Sequence, residues 1–263
     1  MADTRGEQSG PGQRRLDRRA TEGLEWARWA VHRWSAFPLR RAPRPLVLVA
    51  SRVRVEKGFK TGEAKTAFLE GRFESCGELP PAVLDALAPH GQPRPRQSGP
   101  PLLITAAELS ECEFETDRGD RCLPAWRLTA QDALGPIWVL DPHVADWQPA
   151  ADADGSPPDL QTPAQAPFSR VDVAADERSL VAHWLGASPA FERYPEAEVV
   201  ESAHAFSIVA VGVDIGPPGV RTAVGFLHQV PAVLREPVGA RVYVDLRGHA
   251  GRVVKAANPS RAC

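Results

Sequence analysis

The chain has 263 residues, of which 43% are hydrophobic, and its formal net charge is −2. This length is enough for one large domain or two modest domains with a buried core. The near-neutral charge argues against a nucleic-acid surface spread over the whole protein. Four cysteines are too few for a disulfide scaffold, and no stretch of the sequence has the ~20 apolar residues of a membrane span.

The N-terminal region combines a polar tail with a basic amphipathic helix. Residues 1–14 are polar and rich in glycine, so we expect them to form a disordered tail. Residues 15–44 are predicted to form a helix followed by an arginine- and proline-rich arm. The apolar side chains that share one helical face at 3.6 residues per turn are Leu24, Ala27, Val31 and Trp34.

Two functions are open for this helix. It is a good cover for the chain's own β-core, with the arginine stems lying along the apolar surface. It is also suited to contact a protein partner or an anionic membrane surface, through the side chains of Trp26, Trp29, Trp34, Arg28 and Arg33. We do not expect nucleic acid to bind, because nothing in the sequence forms a nucleic-acid module.

The rest of the sequence predicts two β-rich units of an α+β protein. Short apolar or alternating segments, separated by turn residues about every ten positions, indicate antiparallel sheets of a sandwich or open barrel. The first unit covers residues 45–147 and includes a few short helices, and the second covers residues 168–257. Between them, residues 148–167 form an acidic, proline-rich linker, and residues 258–263 form a tail.

The segment from Cys112 to Pro142 is the centre of the first unit, because it predicts three strands joined by two turns. Cys112 and Cys122 flank the first turn, so they lie on adjacent strands. Three alternatives follow: two free buried thiols, a disulfide, or a metal site that also uses Cys76 and a histidine. Arg118-Gly119-Asp120 spells an integrin-type tripeptide, and we interpret it as turn sequence only.

The sequence offers one weak set of catalytic candidates. His143 follows Asp141 by two residues at the end of a predicted strand, and a carboxylate can orient an imidazole for acid–base chemistry. Glu113, on a neighbouring predicted strand, is the third candidate. The sequence has no nucleophile elbow, phosphate-binding loop or dinucleotide fingerprint, and we expect no cofactor.

Two runs carry a resemblance to a known group. The region between Thr116 and Asp141 contains the stretches Thr-Asp-Arg-Gly, Leu-Pro-Ala-Trp-Arg and Gly-Pro-Ile-Trp-Val-Leu-Asp. This region is similar to a recurring segment of uncharacterised β-rich actinobacterial proteins. Val200-Glu201-Ser202 followed by Pro237–Val242 resembles a second segment of the same proteins. Some members resemble exported or lipid-anchored proteins, but this chain has no lipobox cysteine. The resemblance implies no activity and identifies no functional residue.

The leading hypothesis is therefore a non-enzymatic, soluble binding or accessory protein of unknown ligand and partner. The alternatives are a hydrolytic enzyme on an unfamiliar β scaffold and a peripheral membrane protein attached through the N-terminal helix. Because the N-terminus lacks the uninterrupted apolar segment of a signal peptide, and there is no lipobox or transmembrane span, we expect a cytoplasmic location.

Overall fold

The computed structural model describes residues 11–87, 99–150, 157–158, 170–215 and 225–255. Strands hold 44% and helices 15% of the residues, and one of the three sheets curls into a half-barrel, which confirms the predicted β-rich α+β class. The predicted C-terminal tail and most of the predicted linker lie outside the described residues. The N-terminal helix begins at Pro11, earlier than the sequence predicts.

The described elements are three helices and twelve strands. The helices are α1 (Pro11–Arg33), α2 (Gly62–Leu69) and α3 (Pro81–Leu87). The strands are β1 (Val53–Val55), β2 (Phe73–Ser75), β3 (Leu102–Thr116), β4 (Gly119–Ala130), β5 (Ile137–Leu140), β6 (Arg170–Val173), β7 (Ser179–Gly186), β8 (Glu192–Glu201), β9 (Ala205–Asp214), β10 (Phe226–Val233), β11 (Val242–Tyr243) and β12 (Val253–Lys255).

These elements fall into two compact units whose boundaries differ from the predicted ones. Unit 2 contains α2, α3 and the strands β1–β5. Unit 1 contains α1 and β6–β12, and it also includes residues 46–49, the hairpin tip Asp117–Gly119 and Trp147. The N-terminal helix thus belongs with the C-terminal strands, from which it is separated in sequence by all of unit 2.

Unit 2 is built on a five-stranded sheet in the order β1-β5-β4-β3-β2. Its strands are antiparallel except for β2, which pairs with β3 in parallel. Thr61 caps α2 by accepting a hydrogen bond from the Ala64 amide at 3.1 Å. Gly71 follows that helix with φ +66°, a conformation that glycine adopts without steric cost. The core of this unit is formed by Ala67, Val83, Leu87, Ile104, Leu128, Ile137 and Val139.

Unit 1 contains a four-stranded sheet, β10-β7-β6-β12, and a three-stranded sheet, β11-β9-β8. The prediction of antiparallel sheets is right for most pairs, but β12 pairs with β6, and β11 with β9, in parallel. Both sheets contribute to one apolar cluster, which contains Val171, Leu180, Trp184, Phe206, Ile208, Val230 and Tyr243. Alternate residues of each strand therefore point into a shared core.

Helix α1 covers the three-stranded sheet of unit 1. Trp26 and Ala27 pack with Val209 and Leu246. The helix approaches the sheet closely at Gly23, where a Cβ would lie 2.9 Å from a Val209 methyl carbon. The helix ends at Arg33, shortly before Pro38, which cannot continue it.

Candidate functional site

The predicted pair Asp141 and His143 is formed in unit 2, directly after β5. One carboxylate oxygen of Asp141 accepts hydrogen bonds from the His143 backbone amide at 2.9 Å and from its Nδ1 at 2.8 Å. These two bonds, the backbone one first, lower the pKa of the Asp141 carboxyl below its usual value. The His143 side chain is 95% exposed. The pair closes a surface loop, and its imidazole faces solvent.

The third candidate, Glu113, does not join this pair. Glu113 lies on β3 and Asp141 follows β5, while β4 lies between these two strands in the sheet. Two inter-strand spacings amount to ~9.5 Å, which exceeds the reach of a hydrogen bond. The Glu113 carbonyl accepts a hydrogen bond from Arg54 at 2.7 Å, so its backbone serves the sheet of unit 2.

All three arrangements predicted for the hairpin cysteines are wrong, because Cys122 is disulfide-bonded whereas Cys112 is free. Cys112 is buried and free, so it is not bonded to Cys122, and burial raises the pKa of its thiol. Cys76 is free and exposed, after β2. Within the described part of the chain, no group of three or more His, Cys, Asp or Glu side chains could hold a metal ion. The suggested ligand set of Cys76, Cys112 and Cys122 therefore has no structural support.

Trp26 in α1 and Trp34, directly after this helix, belong to the core of unit 1. Trp26 is 7% and Trp34 is 2% exposed, and the Trp34 indole donates a hydrogen bond to the Gly248 carbonyl at 3.0 Å. Trp29 is partly exposed beneath the Arg33 guanidinium, which lies 5.1 Å from the ring centroid. Arg28 is exposed. The structure thus shows the core-covering alternative for this helix, which leaves Trp26 and Trp34 inaccessible to a membrane or partner.

No described helix combines the length and apolarity that crossing a bilayer requires.

The hairpin tip that carries the integrin-type tripeptide is anchored inside unit 1. Asp117 is almost completely buried, and its carboxylate is bound by the Arg44 guanidinium. Arg118 donates to the carbonyls of Gly239 and Arg241 at 3.1 and 2.5 Å. Gly119 has φ +98°, as the tight turn requires. Because Arg118 is occupied in this way, the tripeptide is not available as a recognition loop.

A feature that sequence reasoning missed is an exposed apolar surface on the four-stranded sheet of unit 1. Leu185 is 60% exposed and lies opposite Leu227, which is 63% exposed. Exposed Pro231 lies opposite Val181. The face turned away from the core contains these four residues and Val233, which is 70% exposed. We call Val181, Leu185, Leu227, Pro231 and Val233 the outer patch.

A polar cluster borders the outer patch on β6. His183 Nε2 lies 2.8 Å from one Asp172 oxygen, and Arg170 Nε lies 3.2 Å from the other. His183 is buried although it points toward the same face as Leu185, whereas Asp172 is about one-third exposed. The sequence offered no clue to this contact, since Asp172 and His183 are eleven positions apart and meet only through the β6–β7 register.

Neither the family models, nor the curated proteins, nor the solved structures searched contain a match to this chain. The resemblance to actinobacterial proteins therefore stays a prediction.

Proposed function

We propose that this chain is a non-enzymatic binding or accessory protein and that the outer patch is its contact surface. The observation that carries the proposal is the clustering of exposed Val181, Leu185, Leu227 and Val233 on two hydrogen-bonded strands. Isolated exposed apolar residues are normal on a monomer, but a contiguous apolar surface is typical of an interaction site.

The sequences of the two strands support this interpretation. The segments Leu180–Leu185 and Phe226–Val233 are apolar at most positions on both faces. A strand of this composition is typical of a sheet that is covered on both sides. In unit 1 the inward residues Leu180, Ala182 and Val230 are buried in the core, whereas the apolar residues of the outer patch are exposed. A partner that covers the outward face would bury the strands on both sides, as their apolar composition favours.

A hydrolytic enzyme is the second candidate, and the 2.8 Å contact between Asp141 and His143 favours it. This contact resembles the carboxylate–imidazole part of an acid–base site. However, the imidazole is exposed to solvent, and Glu113 lies two strands away. Turnover in a broad hydrolase screen that His143→Ala abolishes would establish this alternative against our proposal.

Peripheral membrane binding has less support. The indoles that would enter the interface, Trp26 and Trp34, are buried in unit 1. Attachment through them would require α1 to leave its core position. Equal sedimentation with anionic liposomes by the wild-type protein and by Trp29→Ala plus Arg28→Ala would argue against any residual contact by the exposed side of the helix.

Hydroxyl-radical footprinting tests the binding proposal at the level of single side chains. The protein is labelled once when dilute and purified, and once at the same concentration in a concentrated extract of its source cells. We expect Leu185, Leu227 and Val233 to lose labelling in the extract, because a bound partner excludes solvent from them. Leu109, which is 56% exposed in unit 2, is the control and should be labelled equally in both samples.

Equal labelling of Leu227 and Leu109 under both conditions, and at every protein concentration, would contradict the proposal that the outer patch is a contact surface.

A further inference from the structure

We propose that the peptide bond between Asp141 and Pro142 is a self-cleavage site, at which the Asp141 carboxylate attacks its own carbonyl carbon and His143 protonates the departing proline nitrogen. The site is the loop after β5 in unit 2, and it is independent of the outer patch. Asp141–Pro142 is the only Asp-Pro pair in the sequence. Because proline forms a tertiary amide and leaves as a basic secondary amine, this bond is more easily broken than other bonds that follow an aspartate.

The nucleophile is the Asp141 oxygen that carries no hydrogen bond. Both hydrogen bonds from His143 end on Oδ1, at 2.9 Å from the backbone amide and 2.8 Å from Nδ1. Among the residues that the structure describes, none donates a hydrogen bond to the other oxygen, Oδ2. An ionised carboxylate can act as a nucleophile, and attack by Oδ2 on the carbonyl carbon of the same residue closes a five-membered ring.

The carbonyl group of the Asp141–Pro142 bond is already polarised. Its oxygen accepts a hydrogen bond from the Val144 amide at 2.9 Å. When the carboxylate attacks, negative charge develops on this oxygen, and an N–H group that is in place beforehand stabilises it. The Asp141 amide donates to the Pro124 carbonyl of β4 at 3.0 Å. The residue that supplies both the nucleophile and the carbonyl is therefore held in position on the sheet.

The acid is His143, which directly follows the leaving proline and whose side chain is 95% exposed. An imidazole takes up a proton in the range from about pH 5 to about pH 8. The hydrogen bonds from His143, the backbone one first, lower the pKa of the Asp141 carboxyl, so the carboxylate stays ionised where imidazole is protonated. The loop thus holds a charged nucleophile and an acid under the same mildly acidic conditions.

The other charged groups of this loop are bound to each other or to the backbone. Arg52 Nη1 lies 3.1 Å from an Asp146 carboxylate oxygen, and Arg52 Nη2 donates to the Val144 carbonyl at 3.4 Å. In the described part of the chain, the only side-chain ion pair of Asp141 or His143 is the one that they form together. The pH response of cleavage therefore comes from this pair.

The reaction needs water as its only added reagent. Attack by Oδ2 forms a bond to the Asp141 carbonyl carbon and places the negative charge on the carbonyl oxygen. The C–N bond to Pro142 then breaks, its electron pair stays on the nitrogen, and this nitrogen takes the proton from the His143 imidazolium. The products are a cyclic anhydride at Asp141 and a new N-terminal proline. Water adds to the anhydride and leaves two free carboxyl groups on Asp141.

Cleavage leaves unit 1 composed of two fragments that stay together. Helix α1 lies in the first fragment, and its Trp26 and Ala27 pack with Val209 and Leu246 of the second. Cys122 is also disulfide-bonded. The fragments must therefore be denatured and reduced before they are separated.

The test is intact-mass spectrometry of the purified chain, incubated at about pH 5 and at about pH 8 and sampled over time. We expect fragments of residues 1–141 and 142–263, formed faster at the lower pH. Asp141→Asn should abolish cleavage, and Pro142→Ala should suppress it. His143→Gln keeps hydrogen-bond donors beside Asp141 but carries no acidic proton, so it should slow cleavage at least about tenfold at the lower pH. Circular dichroism checks that the variants are folded.

Glu236→Asp is the matched control. It places a second Asp-Pro pair in unit 1, before Pro237, where Val238 and not a histidine follows the proline. We expect the bond at this position to stay intact while the Asp141–Pro142 bond breaks. Concentrated urea provides a second comparison, because the unfolded wild-type chain loses the contact with Val144 and should cleave more slowly than the folded chain at the same pH.

A chain that keeps its full mass at both pH values would overturn the self-cleavage site. Equal cleavage at the two Asp-Pro pairs of Glu236→Asp, or equal rates in urea and in buffer, would show only the ordinary acid lability of such bonds and would also overturn it. A rate that His143→Gln leaves unchanged would overturn the role of His143 as the acid.

Discussion

At the scale of single residues, the loop after β11 shows how one carboxylate organises its surroundings. Asp245 Oδ1 accepts backbone hydrogen bonds from Arg247 and His249 at 2.9 and 2.8 Å. Its other oxygen lies 3.6 Å from the His249 imidazole. The interaction with the Asp245 carboxylate is the largest cause of the raised pKa of His249, against the opposing effects of partial desolvation, Arg247 and Arg33.

This arrangement predicts a pH-dependent contribution to stability. The folded-state pKa of His249 is raised, so the stabilisation is complete below the unfolded value of about 6.5 and is lost as the pH rises through the folded value. Asp245→Asn keeps an acceptor for the backbone bonds but removes the charge. We expect the pKa of His249, measured by NMR titration, to fall below its ordinary value in this variant.

Glu192→Gln is the matched control. It removes a carboxylate that accepts a hydrogen bond from the Tyr194 hydroxyl and takes no part in the pKa shift of His249. A His249 titration that Asp245→Asn leaves unchanged, or that Glu192→Gln shifts equally, would show that Asp245 does not determine it.

Residue-scale prediction from sequence succeeds where the partners are close in the chain. The spacing of Asp141 and His143 was enough to anticipate their contact, since two residues across a turn are within hydrogen-bond reach. The prediction of Glu113 as a third member was wrong because its distance from Asp141 depends on the strand order of the sheet. Likewise, Asp117 meets Arg44 and Arg118 contacts Gly239 only through the tertiary fold, which no local pattern encodes.

At the scale of elements, helix α1 illustrates how periodicity fixes orientation. The predicted apolar face placed Ala27, Val31 and Trp34 together, and all three are buried. Periodicity identifies the face that needs cover, but it does not say whether that cover is the chain's own core, a partner or a membrane. The structure shows that the cover is the chain's own core. The ring centroids of Trp34 and Trp147, two residues that are distant in sequence, lie 4.9 Å apart.

We predict that Trp34→Ala lowers the free energy of unfolding by about 3–5 kcal/mol, since it removes a fully buried indole and its hydrogen bond to Gly248. The midpoint of urea-induced unfolding measures this loss. Trp29→Ala, one and a half turns earlier in α1, is the matched control and should cost clearly less, because the Trp29 ring is partly exposed. Equal costs for both substitutions, or a cost for Trp34→Ala below about 1 kcal/mol, would contradict the core position of Trp34.

The β7–β10 pair marks the limit of element-scale prediction. Apolar residues on both faces of a strand indicate burial on both sides, and this is what the sequence of Leu180–Leu185 predicts. Folding of unit 1 buries the inward side, whereas Val181, Leu185, Leu227 and Val233 on the outward side stay exposed. Nothing in the sequence identifies which side is left open, because that depends on how the two sheets of the unit pack. The outer patch was therefore visible only in the structure.

At the scale of the whole molecule, elements that are distant in the sequence belong to the same unit. Unit 1 combines the N-terminal helix, the hairpin tip around Asp117 and the C-terminal strands, whereas unit 2 is formed by the segments between them. Two ion pairs, each with one buried and one partly exposed member, join distant parts of unit 1: Arg44 binds buried Asp117, and buried Arg241 binds Glu201 at 2.8 Å. Breaking a buried ion pair leaves an uncompensated charge, which typically costs 3–5 kcal/mol. These contacts hold distant segments together in unit 1, and the composition of each segment could not predict them.

The central claim is that the outer patch is covered by a partner in solution, and methyl NMR of the wild-type protein tests it most directly. Spectra of protein labelled at leucine and valine methyl groups, recorded in dilute buffer and again in cell extract, report on each side chain without any substitution. We predict that the methyl signals of Val181, Leu185, Leu227 and Val233 shift or broaden in the extract, while those of exposed Leu69 and Leu109 in unit 2 stay constant. Patch signals that are constant in cell extract, or that move no more than those of Leu109, would contradict the claim.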